Sequence, residues 1–130
     1  MSDNKITAIV IDDDYDTVEL FQEYLELEGV SVLGKGYDGK DAVELYLKYR
    51  PEVVFLDVMM PNFDGIYGLK EIRKINPNAK IIMVTADLTT ETANALESLN
   101  ATVIVYKPYE FDDIMVMLKN IHQSNMERVC

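Results

Sequence analysis

Three consecutive aspartates, Asp12 to Asp14, a further acid at Asp57, a hydroxyl at Thr85 and an ammonium at Lys107 are the residues of this 130-residue chain whose types could act together. Each group directly follows or closes an apolar run: IVI before Asp12, VVFL before Asp57, IIMV before Thr85 and VIVY before Lys107. Carboxylates from two such runs can share a site only if their repulsion is offset by a raised pKa or a bound cation. A hard ion with oxygen ligands is the better answer, because Mg²⁺ takes a few carboxylates, keeps several waters and leaves positions for phosphate oxygens. Zinc has almost nothing to bind it, with no cysteine cluster and one histidine near the C-terminus. With Asp13 and Asp57 on the ion and Asp12 reaching it through water, an oxygen of Asp57 is left as a nucleophile. The reaction this favours is in-line phosphoryl transfer to a carboxylate. Lys107 would bring positive charge to the equatorial oxygens, and Thr85 a hydroxyl donor.

The elements that must position these groups follow from periodicity. ITAIVI (6–11) is a nearly unbroken apolar run, suited to a strand buried on both faces. Val18, Leu20, Phe21, Tyr24, Leu25 and Leu27 then fall at mostly helical spacing, closed by Gly29. The unit recurs: strands at VSVLGKG, EVVFLD, AKIIMVTA and TVIVYK alternate with helices at DGKDAVELYLKYR, GIYGLKEIRKI, TETANALESL and EFDDIMVMLKNI. Five strand-helix repeats imply an α/β fold of three layers, a (βα)5 doubly wound parallel sheet covered on both faces. In such sheets ligands sit outside the carboxyl ends of the strands, where the strand order reverses. The acids, the hydroxyl and the ammonium all stand at such ends, and the second strand ends in nothing chemical.

Composition narrows the classes further. The length suits a single domain, read as residues 1–122, followed by a polar tail at 123–130 that frays beyond the last helix. A net charge of -11 repels phosphate backbones and anionic lipid, which argues against direct nucleic-acid binding. No window approaches the ~20 apolar residues that span a bilayer, no secretory signal opens the chain, and the single Cys130 fits a reducing cytoplasm, so a soluble cytoplasmic protein without membrane insertion is expected.

In order along the chain, IVIDDD, VVFLDVMMPNFDG, IIMVTA and VIVYKP resemble the receiver domain of two-component response regulators, the CheY-like family. The resemblance runs from about Lys5 to Ile121 and is most specific in LDVMMPNFDG. It implies a flavodoxin-like sheet of strand order 2-1-3-4-5, an order for which the family's chemotaxis protein is itself a standard example. It also implies Asp12 and Asp13 as metal-site acids, Asp57 as the phosphorylated aspartate, the backbone carbonyl of Met59 as a further metal ligand, Thr85 as the switch hydroxyl and Lys107 as the phosphoryl-binding lysine. Pro108 would follow a cis peptide, and Gly65 would free the backbone of the loop into the third helix. The cofactor implied is Mg²⁺, with Mn²⁺ able to substitute. The partners implied are a histidine kinase or histidine phosphotransfer protein and a downstream protein on the face of the fourth helix, fifth strand and fifth helix, with homodimerisation on phosphorylation left open.

The chain departs from the family at two places. Ile104 stands where many relatives carry the aromatic that swings on activation. Leu99, Asn100 and Ala101 replace Ala-Gly-Ala at a helix-to-strand turn, where Asn tolerates the left-handed conformation. At the two positions that influence phosphoryl lifetime in relatives, Met59 cannot orient a water, whereas Asp87 can if it points inward.

Simpler roles compete for some of these residues. Taken alone, Asp12 to Asp14 serve equally well as a helix cap, and Asp14 is read as a cap or solvated residue. Asp64 is read as a turn or cap residue, the methionines as packing, and His122 as outside any site. Val18 and Phe21 are read either as core or, with Tyr15 and Thr17, as the rim that docks a phosphodonor.

Three rival functions are weighed. A phosphorylation-independent pseudo-receiver is opposed by the joint presence of Asp13, Asp57, Thr85 and Lys107. An aspartate-based phosphatase commonly needs an acid two residues after the nucleophile, where Met59 stands. An electron carrier of flavodoxin type needs a small, phosphate-cradling first loop, for which IDDDYD carries the wrong charge.

Overall fold

The computed structural model describes residues 5–129. Strands β1 (Thr7–Ile11), β2 (Ser31–Gly36), β3 (Val53–Asp57), β4 (Lys80–Thr85) and β5 (Val103–Tyr106) alternate with helices α1 (Tyr15–Leu27), α2 (Gly39–Tyr49), α3 (Gly65–Ile75), α4 (Thr90–Ser98) and α5 (Phe111–Val129). The strands form one parallel sheet in the order β2-β1-β3-β4-β5, as the resemblance implied.

The alternation of side chains along each strand divides the core in two. Ala8 and Val10 of β1, Val53 and Phe55 of β3, and Val84 of β4 pack with Val18, Phe21 and Leu25 of α1 and Ile114 and Leu118 of α5. The opposite face, Ile9, Ile11, Val54, Leu56, Ile81 and Met83, packs against Ala42 and Tyr46 of α2, Leu69 and Ile72 of α3 and Leu96 of α4. Because β1 and β3 are adjacent but not consecutive, their carboxyl ends flank the crevice where the chain switches direction across the sheet.

The Leu99-Asn100-Ala101 turn is preserved. Asn100 takes φ 59°, its N–H donates to Glu97 O (2.9 Å), and Ala101 N–H donates to Leu96 O (3.0 Å). These two bonds close the helix in the manner glycine usually serves. The turn is also held from outside by Arg73, whose guanidinium donates to Leu99 O (3.2 Å), Asn100 O (2.6 Å) and Ala79 O (2.6 Å). One charged group thus ties α3 to the end of α4 and the start of β4. We expect Arg73→Ala to lower unfolding free energy by about 2 kcal/mol, since bonds from a charged donor are the stronger ones. Urea unfolding checks this, and a change below about 0.5 kcal/mol, typical of an ordinary surface site, would contradict it.

The C-terminal reading is corrected. Residues 123–129, read as a fraying tail, continue α5. Glu52, at the start of β3, accepts bonds from His122 Nδ1 (2.8 Å) and Asn125 Nδ2 (2.9 Å), and Gln123 pairs with Glu127 one turn on (3.2 Å). A polar helix end is held when its side chains find a partner at the amino end of a central strand. Cys130 lies outside the described residues.

Candidate functional site

Asp12 leaves β1 and Asp57 closes β3, and the β1–β3 register sets Ile11 beside Leu56. Asp12 is 7% exposed and Asp57 6% exposed, whereas Asp13 lies open to solvent. One carboxylate oxygen from each of Asp12, Asp13 and Asp57 lies within 4.8 Å of the other two. Lys107, carried in at the end of β5, places Nζ 3.0 Å from Asp57 Oδ1 and 3.5 Å from Asp12 Oδ2. Among the described residues these are the three acids, hydroxyl strand end and lysine that the sequence singled out, now gathered at one sheet edge.

Electrostatics show how unfavourable the cluster is without a cation. Burial, followed by the neighbouring charge of Asp12, pushes Asp57 from 3.8 up to about 6, against the opposing bond from Lys107. Burial raises Asp12 as well, partly countered by the Asp14 N–H that donates to its Oδ1 (2.9 Å) and by Lys107. The ammonium of Lys107 is itself resisted by burial, yet its bonds and charge contacts with Asp57 and Asp12 outweigh that and hold its pKa above normal. A single lysine for three carboxylates leaves net negative charge. An all-oxygen donor set with this charge fits a hard divalent cation and not a soft one.

Thr85 ends β4, 1% exposed, with Oγ1 accepting the Asp87 N–H (2.9 Å). The β3–α3 loop that carries Met59 is tied at both ends, by Val58 N–H to Val84 O (3.0 Å) and by Gly65 N–H to Val58 O (2.9 Å). Met59's side chain is 59% exposed, so any role as a ligand falls to its backbone carbonyl. Gly65 is required by close approach: a Cβ there would stand 2.1 Å from the carbonyl oxygen of Asp57. The Lys107–Pro108 peptide is cis.

The remaining assignments fall into place. Asp64 caps α3, accepting the Tyr67 N–H (2.9 Å), and Asp14 stands at the N-cap of α1, where it accepts the Thr17 hydroxyl. Ile104 sits between the sheet and α4, packed against the core layer that contains Met83 and Leu96. Asp87 points away from the crevice: Oδ1 accepts the Thr89 N–H (2.9 Å) and Oδ2 the Thr92 hydroxyl (2.6 Å). The Thr92 bond, followed by those from Thr89, keeps the Asp87 carboxyl below the usual range.

Sequence reasoning missed Tyr109. It lines the crevice with Thr17, Phe21 and Lys107, and burial raises its phenol pKa. Its position two residues after the lysine was the signal available.

Residues 8–119 match the family described as the response regulator receiver domain, and the chain belongs to that family. Its function is that of a phosphoacceptor switch in two-component signalling. Chemotaxis protein CheY of Thermotoga maritima is 30% identical over 116 residues, covering 88% of this chain and 95% of the relative. The receiver domain of the Francisella response regulator 1452 superposes with a TM-score of 0.84 at 27% identity, covering 93% and 99% of the two chains. The fold also matches a chain of the CheX-CheY-BeF3-Mg²⁺ complex from Borrelia burgdorferi, with a TM-score of 0.83, 24% identity and coverage of 89% and 88%. No helix among the described residues is long and apolar enough to cross a membrane.

Proposed function

We propose that Asp57 accepts a phosphoryl group from a phosphohistidine donor and that Lys107 and Thr85 bind the product. The observation that carries this reading is the three-carboxylate cluster with Lys107 bridging Asp57 and Asp12. Asp13, Asp57, the Met59 carbonyl and, through water, Asp12 would hold Mg²⁺, or Mn²⁺ in its place. When bound, the ion neutralises the acids and draws charge from the phosphoryl oxygens.

The chain's own groups account for the rest. An oxygen of Asp57 bonds to phosphorus as the P–N bond to the donor imidazole breaks, and the leaving ring takes its proton from water. Lys107, already 3.0 Å from Asp57, transfers its bond to a phosphoryl oxygen, and the Thr85 hydroxyl donates to another. Slow hydrolysis of the aspartyl phosphate resets the domain, and no external substrate is turned over.

The donor would be a histidine kinase or histidine phosphotransfer protein docked where Leu20 and Tyr24 of α1, both exposed, face Pro108, Tyr109 and Phe111 across a groove beside Lys107. The α4-β5-α5 face, with exposed Tyr106 and Val116, would meet the downstream protein or a second copy. A cytoplasmic location accords with such partners.

Acetyl phosphate and intact mass test this. One phosphoryl adduct, formed with Mg²⁺ and absent with chelator, is expected. An unchanged mass in protein with native circular dichroism would instead favour a pseudo-receiver regulated by contact alone.

A further inference from the structure

The hydrogen bonds around Thr85 continue past the site. Its Oγ1 accepts the Asp87 N–H, and the Asp87 carboxylate in turn grips the first turn of α4 through Thr89 N–H and the Thr92 hydroxyl. Thr89 is the N-cap of that helix and accepts the Thr92 N–H (3.3 Å). The backbone of Thr85 is fixed on its other side by Lys107 N–H donating to its carbonyl (2.9 Å). The hydroxyl is therefore the part of Thr85 that responds to new charge on Asp57. Any movement of Oγ1 toward Asp57 must either strip the Asp87 N–H of its acceptor or drag Asp87, and with it the start of α4.

We propose that Asp87 is a positioning residue whose bonds to Thr89 and Thr92 latch Thr85 in the resting arrangement, so that phosphorylation reaches α4 by opening this latch. The proposal rests on the function assigned to Asp57 and Thr85 above. Both carboxylate oxygens of Asp87 are bonded to the first turn of α4, which holds the side chain toward that helix. The latch contributes to the resting state alone. A ligand that selects the active arrangement therefore binds more weakly by the fraction of molecules the latch withholds.

The test is binding of beryllofluoride with Mg²⁺, followed by amide NMR, to the native protein, Thr92→Val and Thr92→Ser. Thr92→Val removes the hydroxyl with little change of shape and is expected to tighten binding about fivefold, the scale of one ordinary, partly exposed hydrogen bond. Before ligand is added, its amides from Asp87 to Ala93 should already lie part-way toward their loaded positions. Thr92→Ser should behave as native, and in a Thr85→Ala background Thr92→Val should gain nothing. A lowered melting temperature with native affinity would show a helix cap and nothing more, overturning the latch while leaving the function of the site intact. Failure of the native protein to bind beryllofluoride would overturn both readings.

Discussion

Asp57→Asn is expected to abolish phosphorylation and, in chelator at pH 7.5, to make the protein more stable by about 2 kcal/mol. The first effect follows from removal of the nucleophilic oxygen. The second follows from the cluster's repulsion: the native carboxyl sits at about 6 in the fold, against 3.8 as an isolated group. Between those values the folded state holds a proton that the unfolded chain has lost, so stability falls as pH rises from about 4 to about 6 and stays reduced above. The shift corresponds to about 3 kcal/mol. That shift is already net of the bond Lys107 makes to Asp57, so it sets the upper limit of the gain. Urea unfolding at pH 4 and pH 7.5 separates the contributions: the advantage of Asn should vanish at pH 4, where the native carboxyl is protonated in the fold. Mg²⁺ should narrow the gap at pH 7.5 by stabilising the native protein more than the variant. A variant less stable than native at pH 7.5 without metal would contradict this account of the cluster.

Gly65→Ala should be nearly as damaging to phosphorylation while leaving every reacting group in place. The added Cβ would stand 2.1 Å from Asp57 O and 2.7 Å from Val58 Cα, both backbone atoms that a rotamer change cannot move. Either α3 retreats or the end of β3 shifts, and the carboxylate that must meet phosphorus in line shifts with it. A displacement of about 1 Å corresponds to about 100-fold in rate, and the overpacking lowers stability by about 3 kcal/mol. Gly68→Ala is the contrast. Its Cβ meets the end of a flexible side chain, Leu56 Cδ2, at 3.1 Å, so phosphorylation should stay within about threefold of native. Rates with acetyl phosphate and saturating Mg²⁺ measure both, and equal rates would show that the Gly65 contact does not position Asp57.

These two sites also show how far the sequence could be read. Apolar runs ending in Asp12, Asp57, Thr85 and Lys107 disclosed both sheet and site, because a strand buried on both faces must be apolar and its chemistry must lie past its end. The charge on Lys107 was legible; its bridge between Asp57 and Asp12 was not, since it depends on how far β5 carries the side chain across the sheet edge. Gly65 was recognised for the wrong reason, as a source of backbone freedom, because close approach to Asp57 O arises only after α3 packs on β3. The direction of Asp87 was left open, and the answer lay in a backbone N–H two residues further on and a hydroxyl five residues further on. The length of α5 was misjudged because its anchor, Glu52, lies 70 positions from His122 in the chain. Strand ends are local facts of sequence, whereas contacts between elements are products of packing.

The central claim is that Asp57 alone among the clustered acids becomes the phosphoryl acceptor. Treating the native protein with Mg²⁺ and acetyl phosphate, reducing the acylphosphate with borohydride and sequencing the peptides by mass reads the acceptor directly, since reduction converts the phosphorylated aspartate to homoserine. Conversion at residue 57, with Asp12 and Asp13 intact, is the predicted result. Conversion at either of those two, or none at all in folded protein, would contradict it.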